Sequence, residues 1–192
     1  EDARENIGNV LDCSPQDIIF TSGATEANSM LSKLIDDHKI IISSIEHPSI
    51  LNQFDNASLI SVTNSGLIAL DHLEKILINL GNEKKIVSVM AVNNETGIIQ
   101  PIDQVSKICK KYDAIFHVDA VQAIGKIPIS MENLHIDLLT VSSHKIGGPK
   151  GVGCLAVKDD FKRYMKPLIK GGGQERGMRA GTEAVTQIAG FG

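Results

Sequence analysis

The chain has 192 residues, of which 42% are hydrophobic, so it is long enough to bury one core and ordinary in composition for a globular protein. Its formal net charge is −4 and no basic stretch is interleaved with aromatic residues, which argues against direct binding of nucleic acid or of an acidic membrane surface. No apolar run approaches the roughly 20 residues that span a membrane, and the first residues lack a secretory signal pattern, so we expect a cytoplasmic protein.

Short apolar runs alternate with stretches of helical periodicity along the chain. Strands are predicted over residues 17–21, 39–43, 59–62, 86–92, 114–119, 137–142 and 152–157. Helices are predicted over residues 26–35, 47–54, 71–80 and 101–112, and residues 1–13 and 184–192 also have helical patterns. The alternation predicts one α/β domain over residues 1–192, with a mostly parallel sheet flanked by helices. Because both ends interrupt a helical pattern, we expect a partial chain of a longer protein.

The three cysteines, Cys13, Cys109 and Cys154, are widely spaced and form no CxxC pair. The spacing favours neither a zinc site nor a disulfide framework, and we predict no metal site. Reduced thiols of a cytosolic protein are the simplest interpretation. Cys109 falls in a predicted helix and Cys154 in a predicted strand, where we expect inert packing.

Polar residues come directly after several predicted strands. They are residues 21–23, residues 93–95, Asp119 and residues 142–145. In a parallel sheet, ligands bind at the carboxyl ends of the strands. We therefore expect these segments to lie along one edge of the sheet.

Lys145 lies in VSSHKIGGPKGVG, directly after an apolar strand. A lysine that forms a Schiff base must have a neutral amine, and a rigid loop of small residues could shield that amine from solvent. Taken alone, such a lysine is more often a surface residue in a glycine-rich turn. Its neighbours in the sequence favour the functional interpretation.

Asp119 closes the apolar strand AIFHVD, where a carboxylate is unfavourable without a partner. In enzymes that use pyridoxal phosphate (PLP), an aspartate pairs with the protonated pyridine nitrogen. Gln122 comes three residues later and could reach the phenolic oxygen of the same ring. The alternative is that Asp119 only caps the next segment of the chain.

Residues 22–25, SGAT, join a strand to a helix, and the N–H groups at a helix start can seat a phosphate. Ser142 and His144 could add hydrogen bonds to the same phosphate. The alternative is an ordinary turn with Thr25 as the helix cap. Neither a P-loop nor a GxGxxG motif is present, so nucleotide binding is unsupported.

His47, in SIEHPSI, could lie on a cofactor ring and exchange protons, or it could merely cap a helix or be exposed. Asn94, in VNNETG, could bind cofactor or substrate, or it could only form a loop bend. The glycine-rich residues 171–182 form either a flexible surface loop or a loop that reaches an anionic ligand.

Six runs appear together in this order: TSGATEAN, EHPSIL, VNNETG, HVDAVQAIGK, SSHKIGGPKG and GGGQERGMRAGT. With them, nearly the whole chain resembles the NifS/IscS-type cysteine desulfurases of the class V aminotransferase group. The resemblance implies the large domain of a fold-type-I PLP-dependent transferase. It also implies removal of sulfur from L-cysteine, which leaves alanine and a protein-bound persulfide for iron–sulfur clusters or tRNA thiolation.

The resemblance implies a role for each site residue. Lys145 would bind PLP covalently, Asp119 would pair with the pyridine nitrogen, and Gln122 would contact the ring hydroxyl. His47 would stack on the ring and assist proton transfer, and Asn94 would face cofactor and substrate. The phosphate would be held by Ala24, Thr25, Ser142 and His144. Thr182 would reach the phosphate of the partner subunit, since the family forms homodimers. A sulfur-acceptor protein is the implied macromolecular partner.

The family pattern also includes parts that these 192 residues do not match. They are an N-terminal segment, a small domain, a catalytic cysteine on a mobile loop and an arginine that binds the substrate carboxylate. None of the three cysteines lies at the catalytic position. Two alternatives therefore stay open: a related class V enzyme such as a selenocysteine lyase or an aminotransferase, and a partial chain that binds PLP without catalysis.

Overall fold

A seven-stranded sheet forms the centre of the computed structural model, which describes residues 1–34 and 38–192. The strands are β1 (Ile18–Thr21), β2 (Lys39–Ser43), β3 (Ser58–Ile60), β4 (Lys85–Met90), β5 (Ile115–Asp119), β6 (Leu138–Ser142) and β7 (Gly153–Val157). Their order across the sheet is β1-β7-β6-β5-β4-β2-β3. β7 runs antiparallel to both of its neighbours, and the other pairs are parallel. The predicted mostly parallel sheet is therefore confirmed.

Helices cover both faces of this sheet. They are α1 (Asp2–Leu11), α2 (Ala24–Leu34), α3 (Pro48–Leu51), α4 (Leu70–Leu80), α5 (Ile102–Lys111), α6 (Asp159–Lys162) and α7 (Val185–Phe191). Short 3-10 helices occupy Pro15–Asp17, Ser143–Ile146 and Gln174–Gly177. Among the described residues, no helix is both long and apolar enough to cross a membrane.

Two apolar cores form because side chains alternate between the two faces of each strand. In β4, Val87 and Val89 face the core that α1, α4 and α5 cover, whereas Ile86 faces the core under α2 and α3. In each helix, the apolar residues that face the sheet recur every three to four positions, the period of an α-helix. For example, Val105 and Cys109 lie one turn apart on the buried side of α5.

Most element boundaries agree with the sequence pattern to within two residues. Helix α2 starts two residues before the predicted helix 26–35, and the predicted last residue, Ile35, lies outside the described residues. The predicted helix 47–54 is shorter than expected, a single turn over Pro48–Leu51. Predicted strand residues Val62 and Val92 lie beyond the ends of their strands. They form isolated antiparallel bridges with Ile68 and Ile99.

The five parallel strands β2, β3, β4, β5 and β6 point their carboxyl ends toward the same edge of the sheet. The turn after β1 reaches this edge as well, because β1 pairs with the antiparallel β7 and Thr21 lies opposite Gly153 at the start of β7. Ser142, the last residue of β6, also pairs with Gly153. The polar segments singled out in the sequence therefore meet at one edge.

Candidate active site

A cavity of about 650 Å³ opens at this edge of the sheet. Nine of the ten predicted site residues line it: Ala24, Thr25, His47, Asn94, Asp119, Gln122, Ser142, His144 and Lys145. The tenth, Thr182, lines a neighbouring cavity of about 180 Å³. Ser22 and Gly151 line both cavities, so the two are adjacent.

Asp119 lies at the end of β5 and is only 5% exposed. Its Oδ1 accepts a hydrogen bond from the N–H of Val121 at 3.0 Å, and its Oδ2 accepts one from Nδ2 of Asn28 at 2.9 Å. Burial raises the pKa of Asp119, while these hydrogen bonds and the nearby His47 oppose the rise. The carboxylate thus caps the turn after β5, as the alternative interpretation expects, and it also borders the cavity, where its pairing with a cofactor ring stays a prediction.

The turn between β1 and α2 brings backbone N–H groups to the cavity. A Cβ on Gly153 would lie 2.9 Å from Cα of Gly23, so this turn packs closely against β7. Glu26 accepts a hydrogen bond from the N–H of Ser22 at 2.9 Å and pairs with Arg179 at 2.7 Å. Although burial acts against it, the hydrogen bonds from Arg179 and Ser22 lower the pKa of Glu26. The first N–H groups of α2 have no acceptors within the helix, as at any helix start.

Lys145 lies in the 3-10 helix after β6. The chain leaves this helix through Gly147, whose φ of 86° favours glycine, and a Cβ on Gly148 would lie 2.2 Å from Oγ of Ser143. Small residues therefore fix the path of the loop, as expected. The loop does not shield Lys145 from solvent, however, and this expectation is wrong: the residue is exposed because the cavity is open.

Ser142 and His144 lie next to each other at the cavity wall. Oγ of Ser142 lies 3.0 Å from Nδ1 of His144, and Ser142 itself is fully buried. Lys150 also lines the cavity, so two lysines and two histidines border the space. These basic side chains suit an anionic group on their side of the cavity, whose lining also includes the carboxylates of Glu26 and Asp119.

His47 caps α3 while it lines the cavity. Its Nδ1 accepts a hydrogen bond from the N–H of Ser49 at 3.1 Å and lies 2.8 Å from Oγ of Ser49. The residue is exposed on the cavity side. The capping interpretation of this histidine is therefore confirmed, and its role on a cofactor ring stays a prediction that its position at the cavity allows.

Two amide side chains complete the predicted set. Asn94 donates to Oε1 of Glu95 at 2.7 Å, whereas its neighbour Asn93 forms the loop bend by accepting hydrogen bonds from the N–H groups of Glu95 and Thr96. Gln122 accepts a hydrogen bond from Nζ of Lys126 at 3.0 Å. The bend predicted for this Asn-rich loop is thus made by Asn93, and Asn94 borders the cavity.

The glycine-rich residues 171–182 are held against the edge strand β1. Glu175 accepts a hydrogen bond from the N–H of Phe20 at 2.9 Å and pairs with Arg4. Arg176 donates to the carbonyl of Gln16 at 2.9 Å, and Arg179 pairs with Glu26. These contacts hold parts of an otherwise largely exposed segment against the rest of the fold.

The cysteines lie away from the cavity. Cys109 and Cys154 are buried and Cys13 is half-buried, and none of the three forms a disulfide in the described structure. Burial raises the pKa of Cys109 and Cys154, and it raises the pKa of Cys13 to about 12. All three are poor nucleophiles in this fold, because the thiolate is the reactive form.

Sequence reasoning missed several residues at the site. Asn28 and Ser49 connect Asp119 to His47, and Glu46 is buried beside them. Asn28 had a usable signal, because it is a polar residue within the apolar stripe of α2. Glu46 and Ser49 carried no comparable signal, since the short segment EHPSI has no clear period.

Comparisons with known proteins agree with this geometry. The family model for class V aminotransferases matches residues 1–192. The chain belongs to the class V aminotransferase family. It is 43% identical to the mitochondrial cysteine desulfurase of Eremothecium gossypii over 206 residues, which cover all of this chain and 41% of that protein. It is 45% identical to the cysteine desulfurase IscS of Buchnera aphidicola, with 99% of this chain and 50% of that protein covered.

A NifS-like protein from Rickettsia africae has a similar structure, with a TM-score of 0.92 and 43% identity over 98% of this chain and 54% of that chain. The resemblance to NifS/IscS-type cysteine desulfurases and the predicted fold-type-I α/β architecture are therefore confirmed. The chain spans about half the length of the curated relatives that it matches. Class V aminotransferases and cysteine desulfurases depend on PLP.

The residues at the cavity fit PLP on their own chemistry. Asp119 is a buried carboxylate that has amide donors but no ion pair within the described residues. Such a group suits a protonated ring nitrogen, because a buried carboxylate is favourable only with a partner. The helix start at α2, the pair Ser142 and His144, and the exposed amine of Lys145 border the same space.

Proposed function

We propose that this chain is the cofactor-holding part of a PLP-dependent cysteine desulfurase. The whole protein would convert L-cysteine to L-alanine and leave the sulfur as a persulfide on a cysteine thiol. The observation that carries the proposal is the single cavity in which Lys145, Asp119 and His47 lie beside the start of α2. Family membership and the identity to cysteine desulfurases support it.

The proposal gives each side chain a specific task. Lys145 would hold PLP covalently through Nζ, Asp119 would keep a proton on the ring nitrogen, and Gln122 would bind the ring hydroxyl. His47 would lie on the ring and move protons, and Asn94 would face the substrate. Ala24, Thr25, Ser142 and His144 would hold the phosphate. When bound, PLP supplies an electron-accepting ring that acidifies the Cα–H bond of an amino acid.

The sulfur acceptor would be a thiol other than the three in this chain. A thiolate must attack the sulfur of the substrate, and burial raises the thiol pKa of Cys13, Cys109 and Cys154. We therefore expect the 192 residues alone to bind PLP but to form little persulfide from L-cysteine. A sulfur-acceptor protein for iron–sulfur cluster assembly or tRNA thiolation would act after the persulfide forms.

The proposal includes a homodimer in the cytoplasm. Thr182 is exposed and lies outside the main cavity, which suits a residue that reaches the phosphate of a partner subunit. The relatives do not share one compartment, because one is mitochondrial and another is bacterial. The cytoplasm is therefore proposed separately from the reaction. Sedimentation of the PLP-loaded protein, wild type and Thr182→Ala, tests the dimer separately from the shared phosphate contact.

The cofactor role is tested by the visible absorption spectrum of the protein with PLP. We expect a long-wavelength band in the wild type, its loss in Lys145→Ala, and its retention in Lys150→Ala. Lys150 is a matched control because it lines the same cavity and is also exposed. Borohydride reduction followed by peptide mass mapping should place PLP on Lys145. A band that persists in Lys145→Ala, or a label on Lys150, would refute the assignment.

The reaction is tested with L-cysteine on the whole protein. Equal amounts of alanine and persulfide sulfur would support the desulfurase. Alanine formed only from selenocysteine would favour a lyase, and amino transfer that depends on a 2-oxo acid would favour an aminotransferase. PLP binding without any of these products would favour the non-catalytic alternative.

A further inference from the structure

A continuous line of hydrogen bonds connects Asp119 to His47 beneath the cavity. Nδ2 of Asn28 lies 2.9 Å from Oδ2 of Asp119 and 2.9 Å from Oγ of Ser49. Oγ of Ser49 lies 2.8 Å from Nδ1 of His47. Asn28 is fully buried and Ser49 is 7% exposed, so solvent has little access to the inner part of the line.

The backbone N–H of Ser49 determines which groups donate and which accept along this line of hydrogen bonds. The backbone N–H of Ser49 can only donate, and it points to Nδ1 of His47 at 3.1 Å. Nδ1 is therefore an acceptor, and the proton of the neutral ring lies on Nε2. The hydroxyl of Ser49 also donates to Nδ1, so its oxygen is left to accept from Asn28.

Asn28 has one orientation that satisfies both neighbours. Its two amide hydrogens reach Asp119 and Ser49, and no donor within the described residues reaches its buried Oδ1. A flipped amide would turn its carbonyl oxygen toward the carboxylate of Asp119, which is repulsive. Asp119 and Ser49 therefore fix the orientation of the Asn28 amide. Its buried Oδ1 is left without a hydrogen-bond donor in the described structure as a result.

We propose that Asn28 is a positioning residue of the cofactor site, which orients the carboxylate of Asp119 and, through Ser49, holds His47 in the tautomer with its proton on Nε2. The role toward PLP rests on the proposed function, whereas the tautomer of His47 does not. A neutral His47 in this form presents its Nε2–H to the cavity, so it acts there as a hydrogen-bond donor. The alternative is that Asn28 only fills space between α2 and α3.

Two arms of the line can be separated by mutation. Asn28→Ala removes the donor to Asp119 and the donor to Ser49, whereas Ser49→Ala spares the donor to Asp119. The hydrogen bond from Asn28 favours the charged form of Asp119, so its loss raises the pKa of that carboxyl further. Asn28→Asp keeps the size of the side chain but puts a second carboxyl beside Asp119, and in such a pair one of the two carboxyl pKa values is strongly raised.

The first measurement follows bound PLP by absorbance while the pH of the PLP-loaded protein is lowered from neutral. Protonation of Asp119 removes the partner of the ring nitrogen, so cofactor loss reports on its titration. We expect the midpoint of cofactor loss to rise by about one pH unit in Asn28→Ala and at least as far in Asn28→Asp. It should stay at the wild-type value in Ser49→Ala.

Ser88→Ala is the matched control for Ser49→Ala. Ser88 is also a buried serine whose Oγ lies 2.8 Å from Nδ1 of a histidine, His117, on the same sheet. The second measurement is nitrogen-15 NMR of the histidine rings. We expect His47 to carry its proton on Nε2, and its Nδ1 signal to move in Ser49→Ala and in Asn28→Ala but not in Ser88→Ala.

The outcomes separate this inference from the proposed function. A wild-type protein that binds no PLP would refute the proposed function, while the NMR result would still decide the tautomer. Normal PLP binding with unchanged midpoints in both Asn28 variants would show that Asn28 only fills space. A proton on Nδ1 of His47 would overturn the proposed line. If Asn28→Ala fails to fold, the isosteric Asn28→Asp decides the Asp119 arm.

Discussion

The side chain of Glu46 carries a carboxyl group that is buried next to His47 in the chain. Glu46 is 3% exposed, and its Oε1 accepts a hydrogen bond from the N–H of Met90 at 2.7 Å. No donor in the described part of the chain reaches its Oε2. Burial and the nearby Asp119 raise the pKa of Glu46 from 4.5 to about 8. The folded protein therefore keeps this carboxyl protonated at neutral pH.

Glu46→Gln is expected to remove a pH-dependent loss of stability. At pH values below 4.5, both the folded and the unfolded chain hold the proton, so the wild type and the variant should be about equally stable. As the pH rises from 4.5 toward 8, only the unfolded wild type releases it, and the free energy of unfolding of the wild type falls. Above that range the variant should be more stable by roughly 2–4 kcal/mol. Urea denaturation across the pH series measures the gap.

Glu5→Gln is the control for this prediction, because Glu5 lies exposed on α1. Its stability should match that of the wild type at every pH. Parallel curves for Glu46→Gln and the wild type would contradict the raised pKa of Glu46. A gap that opened at low pH would mean that the carboxyl is held ionised in the fold.

At the scale of residues, the sequence revealed polar side chains at the ends of strands but not those buried beneath the cavity. Asp119 was recognisable because it ends an apolar strand and His47 because it follows one, and nine of the ten predicted residues line one cavity. Asn28 interrupts the apolar stripe of α2, which marks its position but not its partner Asp119, and the contact of Glu46 with Met90 has no local signal at all. The exposure of Lys145 depends on the open cavity around it, which no local pattern encodes.

At the scale of elements, the glycine-rich segment closes the free edge of the sheet. β1 is an edge strand, and edge strands leave backbone groups without sheet partners. Glu175 accepts from the N–H of Phe20, and Arg4 donates to the carbonyl of Ile18 at 2.7 Å. Glu175 itself has a φ of 48°, a left-handed conformation that is unusual for glutamate and is held by these contacts.

Replacing Glu175 should therefore destabilise the fold from its edge. We expect Glu175→Ala to lower the free energy of unfolding by about 3 kcal/mol, because it leaves Arg4 and the N–H of Phe20 without their partner. Glu175→Gln should cost about 1 kcal/mol, since its amide oxygen can still accept from Phe20. Glu183→Ala, at an exposed position just after the segment, is the control. Equal losses for Glu175→Gln and Glu175→Ala would show that the ion pair alone matters.

The elements themselves were largely predictable because their hydrophobic periods are clear. Strands 39–43 and 137–142 and helices 71–80 and 101–112 appear within about a residue of the expected bounds. The antiparallel direction of β7 was not predictable, because an apolar run such as GCLAV has no pattern that depends on direction. The ordered path of residues 171–182 depends on ion pairs with residues far away in the chain, including Arg4 and Glu26.

At the scale of the whole molecule, one apolar core joins elements that are distant in the sequence. Cys109 on α5 and Cys154 on β7 both belong to this core, and each is at most 1% exposed. Burial raises the pKa of both thiols, so neither can react until the structure around it opens. Cys13, at the end of α1, is half-buried and packs against the same core from outside. Labelling of Cys109 and Cys154 therefore requires the core to open, whereas labelling of Cys13 requires only its surroundings at the edge of the core to open.

Alkylation during a urea titration tests whether this core unfolds as a unit. We expect Cys109 and Cys154 to resist iodoacetamide in the native protein and to become labelled with a common urea midpoint, because a single cooperative transition exposes both. Cys13 should be labelled at lower urea, since it is half-buried and a smaller local opening is enough to expose it. Peptide mass spectrometry measures each site, and a Cys13→Ser variant shows that early labelling there does not promote the rest. Separate urea midpoints for the labelling of Cys109 and Cys154 would contradict a single transition. They would mean that β7 opens independently of the parallel strands.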